Sequence, residues 1–181
     1  MSDVPSNNRA AFYIDGSNFF KYCEQLQIYA YQLEWDSLLQ DVATGREIVA
    51  ARYYDCPKTD GATPEEKRKQ QQFFSLLRRI PWLELKLGRL ARRKKGLVEK
   101  GVDVMIAVDL VLGAVNDVYD VAYLLSADAD FVPAIEAAQS LGKRVFVATP
   151  GDSYHLGKVA DVFIRIDSLR LNSHLRRHGG P

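Results

Sequence analysis

The sequence has few cysteines and no long apolar run, and both shortages narrow the class of protein. It contains two cysteines, Cys23 and Cys56, and neither lies in a CxxC motif or in a Cys/His cluster with zinc spacing. Two thiols and no secretory signal predict a reducing, cytoplasmic environment. No apolar segment reaches the roughly 20 residues that a membrane helix needs, so we expect no membrane partner.

Two common catalytic signatures are also missing. There is no GxxxxGK[ST] motif, so the sequence gives no support for a P-loop nucleotide hydrolase. The three histidines, His155, His174 and His178, all lie late in the chain. None of them falls in the acidic motifs of the sequence, so we do not expect a histidine general base.

The order of apolar segments predicts a single α/β domain, since 181 residues fit one domain of common size. Residues 1–10 and 169–181 are expected to be tails around a domain at 11–168, the first of them disordered. Strands are predicted at 11–14, 47–54, 83–87, 121–125, 144–148 and 161–166, and helices at 19–29, 33–42, 64–79, 101–112 and 132–141. This alternation predicts a mostly parallel sheet with helices on both faces. In such sheets, sites lie beyond the carboxyl ends of the strands.

The first acidic motif follows the first predicted strand. Asp15, Gly16, Ser17 and Asn18 come directly after the apolar run 11–14, which puts Asp15 at the carboxyl end of a strand. Gly16 permits a tight turn, and the Ser17 and Asn18 side chains can orient neighbouring groups or bind phosphate. Asp-Gly is also a frequent turn pair, so an Asx turn that caps the next helix is the alternative.

The second motif places two carboxylates one residue apart. Asp128 and Asp130 follow Ser126 and the apolar strand 121–125. Repulsion between two such carboxylates costs stability unless a cation lies nearby, and magnesium binds carboxylate oxygens and waters. A helix cap would explain one of these aspartates and explains the pair less well.

The third motif lies at the start of the predicted helix 101–112. Asp103 would be stabilised there by the helix dipole even without any function. Asp109 is surrounded by apolar residues, and on a helix it would point about 120° away from Asp103. It is either a group that supports the site or a buried, hydrogen-bonded carboxylate.

Together the three motifs predict one metal site. We expect Asp15, Asp103, Asp128 and Asp130 to converge, with Ser17, Asn18, Asp109 and Ser126 as supporting groups. A divalent metal held there would lower the pKa of a bound water and stabilise the attacking and leaving oxygens of a phosphodiester.

A basic run precedes Asp103. Seven cations lie between residues 86 and 100, opposed only by Glu99. They are Lys86, Arg89, Arg92, Arg93, Lys94, Lys95 and Lys100. Such a run can hold a phosphate backbone, and the alternative is a solvated charged loop. Tyr53, Tyr54 and Phe131 could stack on bases, although core positions are the simpler interpretation.

The acidic segments occur in an order that matches a known family. The matching segments are Phe12–Phe19, Lys100–Val104 with Asp109, Leu124–Phe131, Gly142–Val145, Ser153–Leu156 and Ala160–Phe163. The chain resembles the NYN domain proteins of the PIN-like nuclease superfamily, in particular the LabA-like (DUF88) branch, over roughly residues 10 to 168.

The resemblance implies a three-layer Rossmann-like (PIN-like) fold and RNA cleavage. It implies a Mg²⁺ or Mn²⁺ site formed by Asp15, Asp103, Asp128 and Asp130, with Asn18 as a supporting polar group. In the family, glycine usually precedes the first aspartate of the late motif, whereas this chain has Ala127, whose methyl group narrows the approach to a phosphate or a metal-bound water.

Three functions are compatible with these residues. The first is a metal-dependent ribonuclease, an endonuclease by preference, that acts on single-stranded RNA. The second is a non-catalytic RNA-binding or regulatory module, which would not need all four aspartates. The third is a phosphohydrolase of small nucleotides, which would need fewer cations than this chain has. The sequence leaves homo-oligomerisation open.

Overall fold

The computed structural model describes residues 8–58, 61–93 and 96–176. The side chains of 90–100 lie outside this description. The strands are β1 (Arg9–Asp15), β2 (Glu47–Asp55), β3 (Leu83–Leu87), β4 (Arg89–Arg93), β5 (Gly96–Lys100), β6 (Val121–Leu125), β7 (Arg144–Thr149) and β8 (Val162–Arg165). The helices are α1 (Gly16–Gln25), α2 (Trp35–Ala43), α3 (Pro64–Leu77), α4 (Val102–Val115), α5 (Val132–Ser140), α6 (Tyr154–Val159) and α7 (Ser168–Ser173).

The main sheet has six strands in the order β3-β2-β1-β6-β7-β8, and every neighbouring pair is parallel. All six strands therefore end at one edge, which we call the carboxyl edge. From β1 the chain moves outward to β2 and β3, and it then returns to the other side of β1 as β6. The strand order thus reverses between β1 and β6, and ligand crevices of open α/β sheets lie at such a point.

Alternate residues of the strands face two separate cores, which gives three layers. In β1, Phe12 and Ile14 pack with α1, α2, α3 and α7 on one face. Ala11 and Tyr13 pack with α4, α5 and α6 on the other. Both faces are apolar because a parallel sheet is covered by helices on both sides. The predicted α/β, three-layer PIN-like fold is confirmed.

Several elements differ from the sequence prediction. The basic run, predicted as a loop, instead forms an antiparallel hairpin of β4 and β5. Helix α1 starts at Gly16 rather than at residue 19, and α6 and α7 were not predicted. Short helices such as these two have too few residues to show a helical period. In the described part of the chain, no helix has both the length and the apolar character needed to cross a membrane.

Candidate functional site

Asp15 ends β1 at the point where the strand order reverses. Its side chain is 3% exposed and caps α1, because Oδ1 accepts a hydrogen bond of 3.1 Å from the Asn18 backbone N–H. The Ser17 hydroxyl donates to the same oxygen at 3.3 Å. The Asx cap that was the alternative for this motif is therefore present in the structure.

Gly16 lets α1 begin directly against β2. A Cβ at this position would lie 2.5 Å from the Tyr53 ring and 2.7 Å from the Tyr54 carbonyl oxygen. No other residue fits without displacing backbone, so the glycine fixes how closely the Asp15 turn packs on the neighbouring strand.

Ser126 joins Asp15 to the second acidic motif across the strands β1 and β6. Its buried hydroxyl donates to Asp15 Oδ2 at 3.0 Å and accepts a hydrogen bond of 3.2 Å from the Asp128 N–H. Next to it, the Ala127 N–H donates to Asn18 Oδ1 at 3.0 Å. These bonds hold both motifs in one arrangement, which we call the Asp15–Asp128 link.

Asp128 and Asp130 lie at the start of a 3₁₀ turn, Ala129–Phe131, that leads into α5. Asp128 is half-buried, and its Oδ1 accepts from the Asp130 N–H at 3.0 Å, so it too serves as a cap. Asp130 is exposed. The turn therefore presents one carboxylate that is fixed by backbone and one that faces solvent.

Asp103 reaches the same edge from the start of α4. Along α4, Gly113 lies against the Tyr13 hydroxyl, and Asp109 reaches Tyr54, which pairs with Asp15 in the sheet. The helix thus runs toward the carboxyl edge as its residue numbers fall. Asp103 is exposed in the first turn, about 9 Å farther along the axis than Asp109.

The aspartates do not form a ready-made metal cage. Within residues 8–58, 61–93 and 96–176, no three side chains of His, Cys, Asp or Glu are grouped so that they could hold a metal ion. The Asp15–Asp128 link unites two of the four predicted acids. Asp103 and Asp130 lie exposed at the same edge.

Asp109 is a hydrogen-bonded carboxylate, one of the two roles left open by the sequence. Its Oδ2 accepts from the Tyr54 hydroxyl and from Lys86 Nζ, each at 2.7 Å. Partial burial opposes its ionisation, but the hydrogen bonds from Lys86 and Tyr54 and the charges of Lys86 and Arg52 outweigh that effect and hold its pKa below the usual value. Lys86 therefore has a partner inside the protein.

Asp55 is an acidic residue at the same edge that motif spacing missed. It ends β2, next to β1, and its backbone carbonyl accepts from the Gly88 N–H at 2.8 Å. This bond ties the base of the β4–β5 hairpin to the carboxyl edge. The signal that could have found Asp55 is the one that found Asp15, a carboxylate at the carboxyl end of a buried strand.

The residues predicted to contact nucleic acid are the cations of the basic run and three aromatic residues. Arg89 is exposed at the base of the hairpin, and Arg92, Arg93 and Lys100 lie on its strands, where only the backbone is described. Lys94 and Lys95 lie outside the described residues. The aromatic candidates Tyr53, Tyr54 and Phe131 are at most 1% exposed, so they are core residues.

One histidine reaches the carboxyl edge. His155 is exposed in the first turn of α6, and α6 packs against the turn 129–131. His174 instead contacts Ser37 and Asp41 near α2, and His178 lies outside the described residues. Sequence order alone did not indicate that His155 shares an edge with Asp130.

Known proteins share both the sequence pattern and this fold. The NYN domain family model matches residues 9–167. A Methanocaldococcus jannaschii protein described as uncharacterized is 43% identical over 67 residues, which make up 36% of this chain and 28% of that protein. The crystal structure of a protein of unknown function from Vibrio parahaemolyticus has a TM-score of 0.71 at 28% identity and covers 93% of this chain and 97% of its own.

Proposed function

The chain belongs to the NYN domain family, and from that premise we propose that it is a metal-dependent ribonuclease, an endonuclease by preference, that cuts single-stranded RNA at the carboxyl edge of its sheet. Family membership supports a nuclease-type hydrolase at a coarse level. The metal, the RNA substrate and the cytoplasmic location belong to the proposal, and assignment to the LabA-like branch stays a prediction.

The observation that carries the proposal is the Asp15–Asp128 link at the point where the strand order reverses. Its two carboxylates are hard oxygen donors, and Mg²⁺ usually binds through one or two carboxylates plus waters and substrate phosphates. The residues present therefore fit Mg²⁺ or Mn²⁺. Asp15 and Asp128 would hold the ion, and Asp103 and Asp130 would complete its surroundings, directly or through water.

The residues around the ion have separate tasks. Ser17, Asn18 and Ser126 fix the orientation of the Asp15 carboxylate through the hydrogen bonds described above. When bound, a divalent cation supplies a water of lowered pKa and positive charge beside the phosphate. Arg89, Arg92, Arg93, Lys94, Lys95 and Lys100 would hold the flanking phosphates, and Asp109 would support α4 from within.

The test is Asp128→Asn. Asparagine replaces aspartate well at a cap but removes the anion that binds the metal, so cleavage of labelled single-stranded RNA in Mn²⁺ should fall to about a hundredth or less of wild type. The melting temperature in chelator should hold or rise, because the substitution removes one of two crowded negative charges.

Asp167→Asn is the matched control. Asp167 caps α7 through a 2.8 Å hydrogen bond from the Arg170 N–H. It follows β8, which β6 and β7 separate from β1, and this variant should keep full activity. Full activity in a folded Asp128→Asn protein would show that Asp128 is only a cap and would favour a non-catalytic RNA-binding module.

A further inference from the structure

A cleft of about 430 Å³ opens beside the Asp15 turn. Its walls include Ser17, Phe20 and Lys21 from α1, Tyr31 from the next turn and Asp55 from the end of β2. This volume lies within the range of about 300–1,000 Å³ that is usual for ligand sites. The cleft belongs to the face of α1 and α3, so it is separate from the Asp103 side of the edge.

The aromatic wall of the cleft is fixed by packing. The ring centroids of Phe20 and Tyr31 are 5.0 Å apart, and Tyr31 in turn lies 4.8 Å from Phe73. These neighbours restrict Tyr31 before any ligand arrives. A planar apolar ligand would therefore meet a rigid surface.

Gln70, from α3, fixes another part of the cleft lining. Its side chain is 3% exposed, its Nε2 donates to the Cys56 carbonyl at 3.0 Å, and its Oε1 accepts from the Lys58 N–H at 2.7 Å. These two bonds hold the backbone that follows β2. Both the aromatic rings and the backbone at Cys56 and Lys58 are therefore held in place by contacts within the protein.

The charges of the cleft suit a neutral ligand with N–H donors. Lys21 and Lys58 are balanced by Glu24 and Asp55 on the same walls, and Lys58 Nζ lies 3.6 Å from Glu66. Burial and the nearby charges of Asp55, Glu24 and Glu66 raise the pKa of Tyr31 to about 12. A bare phosphate would meet those carboxylates, whereas amino and imino groups would find acceptors.

The position of the cleft connects it to the nuclease site. Gly16 and Ser17 line it and follow Asp15 directly, and Asp55 bonds to Gly88 at the base of the basic hairpin. A strand with a phosphate at the Asp15–Asp128 link and neighbouring phosphates on the hairpin would therefore pass the cleft.

We propose that this cleft is a nucleobase subsite that selects guanine beside the cleaved phosphate. Proteins recognise single-stranded RNA by packing bases against aromatic rings and by hydrogen bonds to the Watson–Crick edge. That edge of guanine carries an imino and an amino donor side by side, which match the two oxygens of the Glu24 carboxylate, whereas uracil offers a single imino donor between two carbonyls. The proposal rests on the proposed function in two respects, that the bound strand is RNA and that the phosphate at the Asp15–Asp128 link is the one cleaved.

The experiment measures binding without cleavage. Asp128→Asn protein in chelator is titrated by fluorescence anisotropy with an oligouridylate 11-mer, with the same oligomer carrying one central guanosine, and with inosine in its place, which lacks the amino group. The guanosine oligomer should bind about tenfold more tightly than the all-uridine one, with inosine between them.

Glu24→Gln in the same background should abolish the preference, and Glu136→Gln, an exposed change on α5 across the sheet, should retain it. Equal affinities, absent binding or a preference that survives Glu24→Gln would overturn the subsite. A parallel cleavage assay of wild type keeps the two ideas apart. A preference for guanosine without cleavage would support the guanine subsite and contradict the proposed ribonuclease activity. Cleavage without a preference for guanosine would support the ribonuclease activity and contradict the subsite.

Discussion

Asp109 illustrates at the residue scale how a carboxylate in an apolar helix stays ionised. It is 20% exposed, and its partner Lys86 is 27% exposed, so solvent screens their interaction only in part. The Tyr54 hydroxyl satisfies the same oxygen, and burial together with this bond raises the tyrosine pKa. The three side chains tie α4, β2 and β3 together just below the carboxyl edge.

Asp109→Asn should lower the free energy of unfolding at neutral pH by about 1–3 kcal/mol, because it removes hydrogen bonds to a charged group. The folded pKa of Asp109 is depressed, so its stabilisation is complete above the unfolded value of about 3.9 and is lost as pH falls through the lower folded value. Urea titrations from pH 7 to pH 2 should show the difference between wild type and variant shrinking only below about pH 4.

Asp152→Asn is the control for that series. Its ion pair with Arg165 is largely exposed, at 74% and 62%, and such pairs contribute little. A difference between wild type and Asp109→Asn that stays constant down to pH 2 would contradict the assigned role.

At the scale of elements, the helix cap of α3 depends on neighbouring residues, whereas the β4–β5 hairpin was not predicted. Thr63 and Glu66 form a capping box, with Glu66 Oε2 2.8 Å from the Thr63 N–H and Thr63 Oγ1 3.2 Å from the Glu66 N–H. Every partner in this cap lies within four residues, so the sequence was sufficient. The hairpin was not predicted because the run of charged residues suggested a loop. Leu97 and Val98, which follow Gly96, favour a strand.

The hairpin is expected to bind phosphates of the RNA backbone. Replacing Arg92, Arg93, Lys94 and Lys95 with alanine should weaken binding to single-stranded RNA and reduce the slope of log affinity against log salt by about 0.7 for each phosphate that the variant no longer neutralises. Anisotropy titrations at several salt concentrations measure both quantities.

Arg78 and Arg79 provide the comparison, since they are exposed at the end of α3 remote from the carboxyl edge. Alanine at both positions should leave the slope nearly unchanged. An equal decrease in slope per charge in the two variants would show that the hairpin acts only through net charge.

For the whole molecule, metal binding should appear as added stability. An ion that binds only the folded state at 100 times its dissociation constant adds about 2.7 kcal/mol, which for a chain of this size corresponds to a rise of about 5–10 °C in melting temperature. We expect Mn²⁺ to raise the melting temperature of wild type and of Asp167→Asn, and to have little effect on Asp15→Asn or Asp128→Asn. An equal rise in all four proteins would place the ion elsewhere.

The sequence by itself determined the α/β class, the positions of the main strands along the chain and the acids that end β1 and follow β6. These features depend on apolar periodicity and on caps, whose partners are neighbours in the chain. Most of the predicted boundaries fall within a few residues of the observed ones for the same reason, and the NYN resemblance followed from the same short segments.

Only the tertiary structure decided which of these residues meet. The Ser126 hydroxyl reaches Asp15 across 111 positions of sequence, and Lys86 of β3 reaches Asp109 of α4. His155 lies near the turn that follows β6 because of the strand order, which no local pattern specifies. Contacts of this kind depend on register and helix placement, because these set distances between side chains that the chain itself keeps far apart.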